Sequence, residues 1–286
     1  MSEPQTLTYK RTAHADLCAS VYGPSTANAP LVLFLHSGAL IWGSREELRP
    51  VILEPLLDDG YAVVSADYRL APATKLPEIL GDVRDALAWV QSGCGGNVPV
   101  DPLRIAVLGT SAGGYLALSS GTFRNRPKAI VSFYGYGSIT EEWYTRPSEH
   151  YLKQESVTDA EFRRWVDSSE ETTSAAFDRF PFYVYTRQRA SWIDLVCADE
   201  VRAIQEYCPV EHVDDLYPPT FLAHGTTDSD VPFGSSERMY RILQERSIPS
   251  ELLLLEGYGH AFDQDEKDSA VQNVNRRMRR FLTQHL

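Results

Sequence analysis

Ser111 lies in Gly109-Thr110-Ser111-Ala112-Gly113, a G-x-S-x-G motif. The apolar run Ile105–Leu108 before it reads as a strand buried on both faces, and Tyr115–Leu118 after it resumes as a helix former. Such a sharp strand-to-helix turn leaves the serine side chain alone at its tip, with flanking glycines admitting close backbone approach. Ser111 then stands at a helix N-terminus, where free N–H groups and the dipole favour developing negative charge. A serine hydroxyl is a weak nucleophile at neutral pH; it needs a base, and the base needs an orienting carboxylate. The expected base is His260, in a glycine-flanked loop just after the run Leu252–Leu255. His14 and His285 lie too near the termini, His150 and His212 lack a strand-end setting, and His224 closes a strand as a structural hydrogen-bonding residue. The carboxylate is sought in His224-Gly-Thr-Thr-Asp228-Ser-Asp230-Val-Pro232, where both aspartates follow a strand. Asp230 also suits the cap of a helix beginning after Pro232.

Attack on a carbonyl leaves an oxyanion, which needs donors. One is the backbone N–H of Ala112; others are expected from the loop after Leu31–Leu35, at Ser37, Gly38 and Ala39. Trp42 and Tyr68 flank that loop and the Asp67 loop and are expected at the substrate pocket, with Ser37.

Elements to position these groups follow in order. Leu7–Arg11 and Asp16–Tyr22 read as an edge hairpin, Pro24–Pro30 as a connector, Leu31–Leu35 and Tyr61–Ala66 as strands, Glu46–Asp58 and 78–91 as helices. Ala129–Tyr134 is another strand. From 137 to 216 the alternation stops, leaving helix-like patches near 159–168 and 191–206 and many aromatics, more than half of which are expected to form the segment's own core. It resumes with Thr220–His224, a helix near 233–246, Glu251–Leu255 and a terminal helix, whose Arg276, Arg277, Arg279 and Arg280 form a solvated face. Alternating strands and helices imply an α/β fold with a mostly parallel sheet covered on both faces. The division expected is a core of 1–136 and 217–286 with an inserted cap of 137–216 beside the strand ends, where ligands bind.

The motifs His36-Ser37-Gly38-Ala39, Asp67-Tyr-Arg-Leu-Ala-Pro72, Gly109-Thr-Ser-Ala-Gly-Gly114, His224-Gly-Thr-Thr-Asp228 with Val231-Pro232, and Gly259-His260-Ala-Phe262 together resemble the hormone-sensitive-lipase-like branch of the α/β-hydrolase fold. The resemblance covers most of the chain except the insertion. It implies serine esterase chemistry with Ser111, Asp228 and His260 as triad, in the chain order of that fold. It also implies Gly38 and Ala39 as oxyanion donors beside Ala112. The family's usual H-G-G-G has become His-Ser-Gly-Ala, and a methyl at position 39 narrows the approach to the carbonyl. The expected activity is hydrolysis of an ester, lactone or related acyl bond of a small, fairly apolar substrate, without cofactor. Alternatives are an arylformamidase or amidase, a natural-product biosynthetic hydrolase or lactonase, and a non-catalytic ligand receptor on the same fold.

The 286 residues carry a net charge of −12, which argues against nucleic acid or anionic membrane as default partners and mildly against highly anionic substrates. Cys18, Cys94, Cys197 and Cys208 form no C-x-x-C pair, and no histidine cluster has metal spacing, so free thiols in a reducing compartment are expected and no metal. The polar N-terminus lacks a secretory h-region and no apolar run reaches the 18 or so residues of a membrane span, so a cytoplasmic location is expected. A homodimer is left open.

Overall fold

The computed structural model describes residues 3–23, 28–197 and 204–286. Its sheet contains β1 (Gln5–Arg11), β2 (Asp16–Tyr22), β3 (Ala29–Leu35), β4 (Ala62–Ala66), β5 (Val100–Thr110), β6 (Ala129–Phe133), β7 (Thr220–Gly225) and β8 (Ser250–Leu255). They are ordered β1-β2-β4-β3-β5-β6-β7-β8. The β1–β2 and β2–β4 pairs are antiparallel, and from β4 to β8 all neighbours are parallel. Part of the connector expected at 24–30 lies outside the described residues, as does part of the patch near 191–206.

Helices α1 (Pro50–Asp58), α2 (Leu76–Gln91) and α3 (Ala112–Ser120) precede the insertion. Within it lie α4 (Asp159–Ser168), α5 (Phe180–Arg189) and α6 (Trp192–Val196), and after it α7 (Gly234–Glu245) and α8 (Ser269–His285). The central strands are apolar on both sides because both sides are covered. Leu31, Leu33 and Val107 pack with Ile79 and Val83 of α2, Leu116 of α3 and Met239 of α7. Val32, Phe34 and Leu108 pack with Leu56 of α1 and Met278 and Leu282 of α8. The helix expected from Glu46 begins only at Pro50, after a 3-10 turn at Arg45–Glu47. Pro50 lacks an N–H and so suits the first helical position, while the residue before it, Arg49, is held extended (φ −78°, ψ 144°).

The segment between β6 and β7 packs on the loops that leave β3 and β4. Gly43 and Ala175 pair as an antiparallel bridge, and the Leu70 N–H donates to Thr172 O at 3.0 Å. The segment's Tyr144, Tyr183 and Trp192 are fully buried in the core cluster of the α2–α3 side, whereas Phe177 is 64% exposed. Helix α5 was not expected from the sequence. Among the described residues no helix is long and apolar enough to cross a membrane, and all four cysteines are free.

Candidate active site

β5 ends at the turn that carries Ser111, whose φ and ψ are +53° and −117°. A non-glycine residue at positive φ is strained, and two backbone bonds hold it: Ser111 N–H donates to Phe133 O at 2.9 Å, and Tyr115 N–H to Ser111 O at 3.0 Å. A Cβ on Gly113 would lie 2.0 Å from Leu35 O, so glycine alone lets α3 start against β3.

His260 follows β8, and its Nε2 lies 3.0 Å from Ser111 Oγ. Its Nδ1 lies 2.7 Å from Asp228 Oδ2. A carboxylate only accepts, so Nδ1 carries the proton and Nε2 presents its lone pair to the serine hydroxyl. Asp228 sits on the loop after β7, fully buried, and every side of it is satisfied. The N–H groups of Asp230 and Val231 both donate to Oδ1 at 2.9 Å, and His224 Nε2 reaches Oδ2 at 3.1 Å. His224 Nε2 also faces Val231 O at 3.0 Å, which fixes the proton on that nitrogen and leaves Nδ1 to accept from Ser236 Oγ at 2.7 Å. Burial alone would raise the Asp228 carboxyl, but the bonds from His224 and His260 hold it below the ordinary carboxylate range. For His260 burial disfavours the cation. The bond to Asp228 and the charges of Asp230, Asp228 and Asp263 outweigh that, and its pKa lies above the usual 6.5.

Asp230 does not cap α7, whose N-cap is Phe233 with no side-chain bond. It faces the insertion instead. Its Oδ1 accepts from Tyr183 Oη at 2.7 Å and from the buried Arg187 at 2.9 Å, while its Oδ2 stands 3.7 Å from His260 Nε2. The Arg187 guanidinium is ringed by Trp143, Tyr144, Tyr151 and Tyr183, 5.0–5.5 Å from their centroids.

The loop after β3 runs through positive φ at Gly38 (+99°), Ala39 (+52°) and Leu40 (+63°). It is pinned by Trp192 Nε1 donating to Ala39 O at 3.0 Å, Ala71 N–H to Leu40 O at 2.8 Å and Arg179 to Ile41 O at 3.0 Å. The N–H groups of Gly38, Ala39 and Ala112 have no acceptor among the described residues. Ser37 Oγ donates to Glu47 at 3.1 Å. Trp42 is half-buried and meets Phe177, Phe180 and Tyr183 edge-on at 5.5–5.9 Å. Tyr68, expected at the pocket, is instead fully buried. It stacks on His36 at 4.1 Å and donates to His36 O at 2.9 Å, supporting the loop from within and offering a ligand no surface. Burial pushes His36 itself down to about 4. A hollow of about 490 Å³ between α1 and α8 contains none of these residues. Among the described residues no group of three or more His, Cys, Asp or Glu is placed to hold a metal ion.

A family model described as BD-FAE matches residues 20–243. The chain belongs to the BD-FAE family. Its sheet and helices form the α/β-hydrolase fold, as in a protein of unknown function from Staphylococcus aureus (TM-score 0.81, 23% identity, 98% of this chain and 99% of that one). An alpha/beta hydrolase superfamily protein from Enterococcus faecalis is similar to this BD-FAE member with TM-score 0.77 and 24% identity, covering 98% of both chains. Among curated proteins it is similar to non-reducing polyketide synthase ausA of Aspergillus calidoustus, 28% identical over 99% of this chain and 14% of the synthase. Synthase Preu6 of Preussia isomera is 28% identical over 91% of this chain, again 14% of its own length. The BD-FAE member thus spans about one-seventh of these relatives.

Proposed function

We propose that this chain is a serine hydrolase of carboxylic esters, with Ser111 as nucleophile, His260 as base and Asp228 as orienting acid. The reading rests on one observation, the hydrogen-bonded run from Ser111 Oγ through His260 to Asp228 at 3.0 and 2.7 Å. Ser111 Oγ attacks the carbonyl carbon as its proton passes to His260 Nε2, and Asp228 stabilises the imidazolium. The oxyanion takes the N–H groups of Gly38, Ala39 and Ala112, each such donor being worth about 2.7–4 kcal/mol. Collapse expels the alcohol, which takes the proton back from Nε2. A water deprotonated by the same nitrogen then frees the acid. Ser111→Ala lowers ester hydrolysis about 10⁴-fold or more with Tm nearly unchanged. A p-nitrophenyl ester assay and fluorophosphonate labelling check this, and full activity in the variant refutes it.

The similarity to a segment of polyketide synthases favours a second reading, release of an acyl group from a carrier thioester by the same steps. An N-acetylcysteamine thioester series beside the oxygen esters separates the two. The free cysteines suit a reducing compartment, and burial pushes Cys94 up to about 12, which keeps its thiol protonated.

A further inference from the structure

Asp230 turns its two carboxylate oxygens to different tasks. Oδ1 accepts both bonds that tie the residue to the insertion, from Tyr183 at 2.7 Å and Arg187 at 2.9 Å. The Asp230 N–H donates to Asp228 Oδ1 at 2.9 Å, so both aspartates are held on one short frame. Oδ2 is the oxygen nearer the reaction, 3.7 Å from His260 Nε2, on a side chain 18% exposed. Nε2 is the nitrogen that exchanges protons with whatever enters or leaves the acyl centre. A water about 2.8 Å from both atoms closes a triangle on that 3.7 Å base, with one hydrogen for each acceptor. The triad by itself provides an acceptor for only one of the two.

We propose that Asp230 is a catalytic residue of the deacylation step, whose Oδ2 holds the attacking water by the hydrogen that Nε2 does not take; this rests on the hydrolase reading above. The step balances without a further reagent. One O–H bond of the water breaks towards Nε2 as its oxygen bonds the acyl carbon, and the second hydrogen stays on that oxygen throughout. The tetrahedral intermediate then expels Ser111 Oγ, which takes the proton from Nε2, and a carboxylic acid is released. The contact serves this step and not the first. In acylation the departing alkoxide oxygen has no hydrogen of its own to offer Oδ2 and takes only the one on Nε2. An alcohol is likewise a poorer second nucleophile than water. Once its single hydroxyl hydrogen faces Nε2, it has none left for the carboxylate. The arrangement favours hydrolysis over acyl transfer to alcohols.

The test reads a product ratio. p-Nitrophenyl acetate is turned over in water containing methanol, above the acid limb of the pH profile, and acetate and methyl acetate are quantified. In Asp230→Asn the amide oxygen goes to the donors Tyr183 and Arg187, which turns the NH2 group, itself a donor, towards Nε2. The ratio of methyl acetate to acetate then rises roughly ten- to a hundredfold, the range of one hydrogen bond to a charged group. Both nucleophiles meet the same acyl-enzyme and the same base, so a weaker imidazole or a partly unfolded sample slows both products alike. An unmoved ratio overturns the proposal. Should the variant not fold at all, the wild type decides: methanol captures the acyl-enzyme no better than water, mole for mole, and a preference for methanol above about tenfold overturns the proposal. Failure of fluorophosphonate to label Ser111 in the wild type sinks the hydrolase reading itself; labelling with an unmoved ratio sinks only the role of Asp230.

Discussion

Asp228 accepts from two imidazoles at once, and the bond to His260 leaves only Nε2 free to take a proton. In the proposed mechanism the base form of His260 is the neutral ring, and its pKa lies above 6.5. Hydrolysis therefore rises with pH through an apparent pKa above 6.5 and falls away on the acid side. Asp230 contributes to that elevation through an oxygen 3.7 Å from Nε2. Asp230→Asn removes the anion, destabilises the imidazolium and moves the acid limb of kcat/KM to lower pH; a p-nitrophenyl acetate profile with an unmoved limb contradicts this. Ala39 presents another local tension. It holds φ +52° without being glycine, which costs about 1–2 kcal/mol, while glycine there would free the unfolded chain by about 0.4–1 kcal/mol. Ala39→Gly thus gains roughly 0.5–1 kcal/mol net, read as a rise of about 1–4 °C in Tm, and it quickens hydrolysis of bulkier acyl esters relative to acetate. A lower Tm would show that the methyl's packing outweighs the strain.

Helix α5 joins the insertion to the site through Arg187, whose side chain is 2% exposed. Truncating one partner of a buried pair leaves the other charge uncompensated, so Arg187→Met costs about 2–4 kcal/mol, less than the full buried value because Asp230 keeps some solvent. Urea unfolding measures it, and a change under about 0.5 kcal/mol, the level of an ordinary surface substitution, means the pair is not structural. Elements with local signals were legible. The Ser111 turn, the strands of the parallel sheet and α4 follow from glycine placement and apolar spacing. Helix α5 was not, because Phe180-Pro-Phe-Tyr-Val-Tyr-Thr is rich in aromatic and β-branched residues, whose intrinsic preference is for strands and gives no helix signal. Tertiary burial of Tyr183 and Val184 overrides that preference. Arg187 and Asp230 lie 43 residues apart, and no spacing rule links them. Tyr68 was misplaced for the same reason, since its partner His36 is 32 residues away.

Across the whole molecule, two buried groups make stability depend on acidity in the same direction. His36 is held neutral by burial, with a pKa of about 4 against 6.5 unfolded. Its contribution is complete above 6.5 and is lost as pH falls towards 4, about 3 kcal/mol in all. Asp228, depressed in the folded state, contributes above the ordinary carboxylate pKa and is lost only on further acidification. His260 works oppositely, its share fading as pH rises through its elevated pKa. Calorimetry should show Tm declining between pH 6.5 and 4, and His36→Gln should flatten that decline whatever it does to Tm at pH 7. The bond from Arg187 to Asp230 has one more consequence. Lifting the insertion away from the sheet would strip the guanidinium from a carboxylate that borders the imidazole, and the bared anion would hold a proton on the very nitrogen that must be empty. Uncovering this centre and disarming it would be a single event.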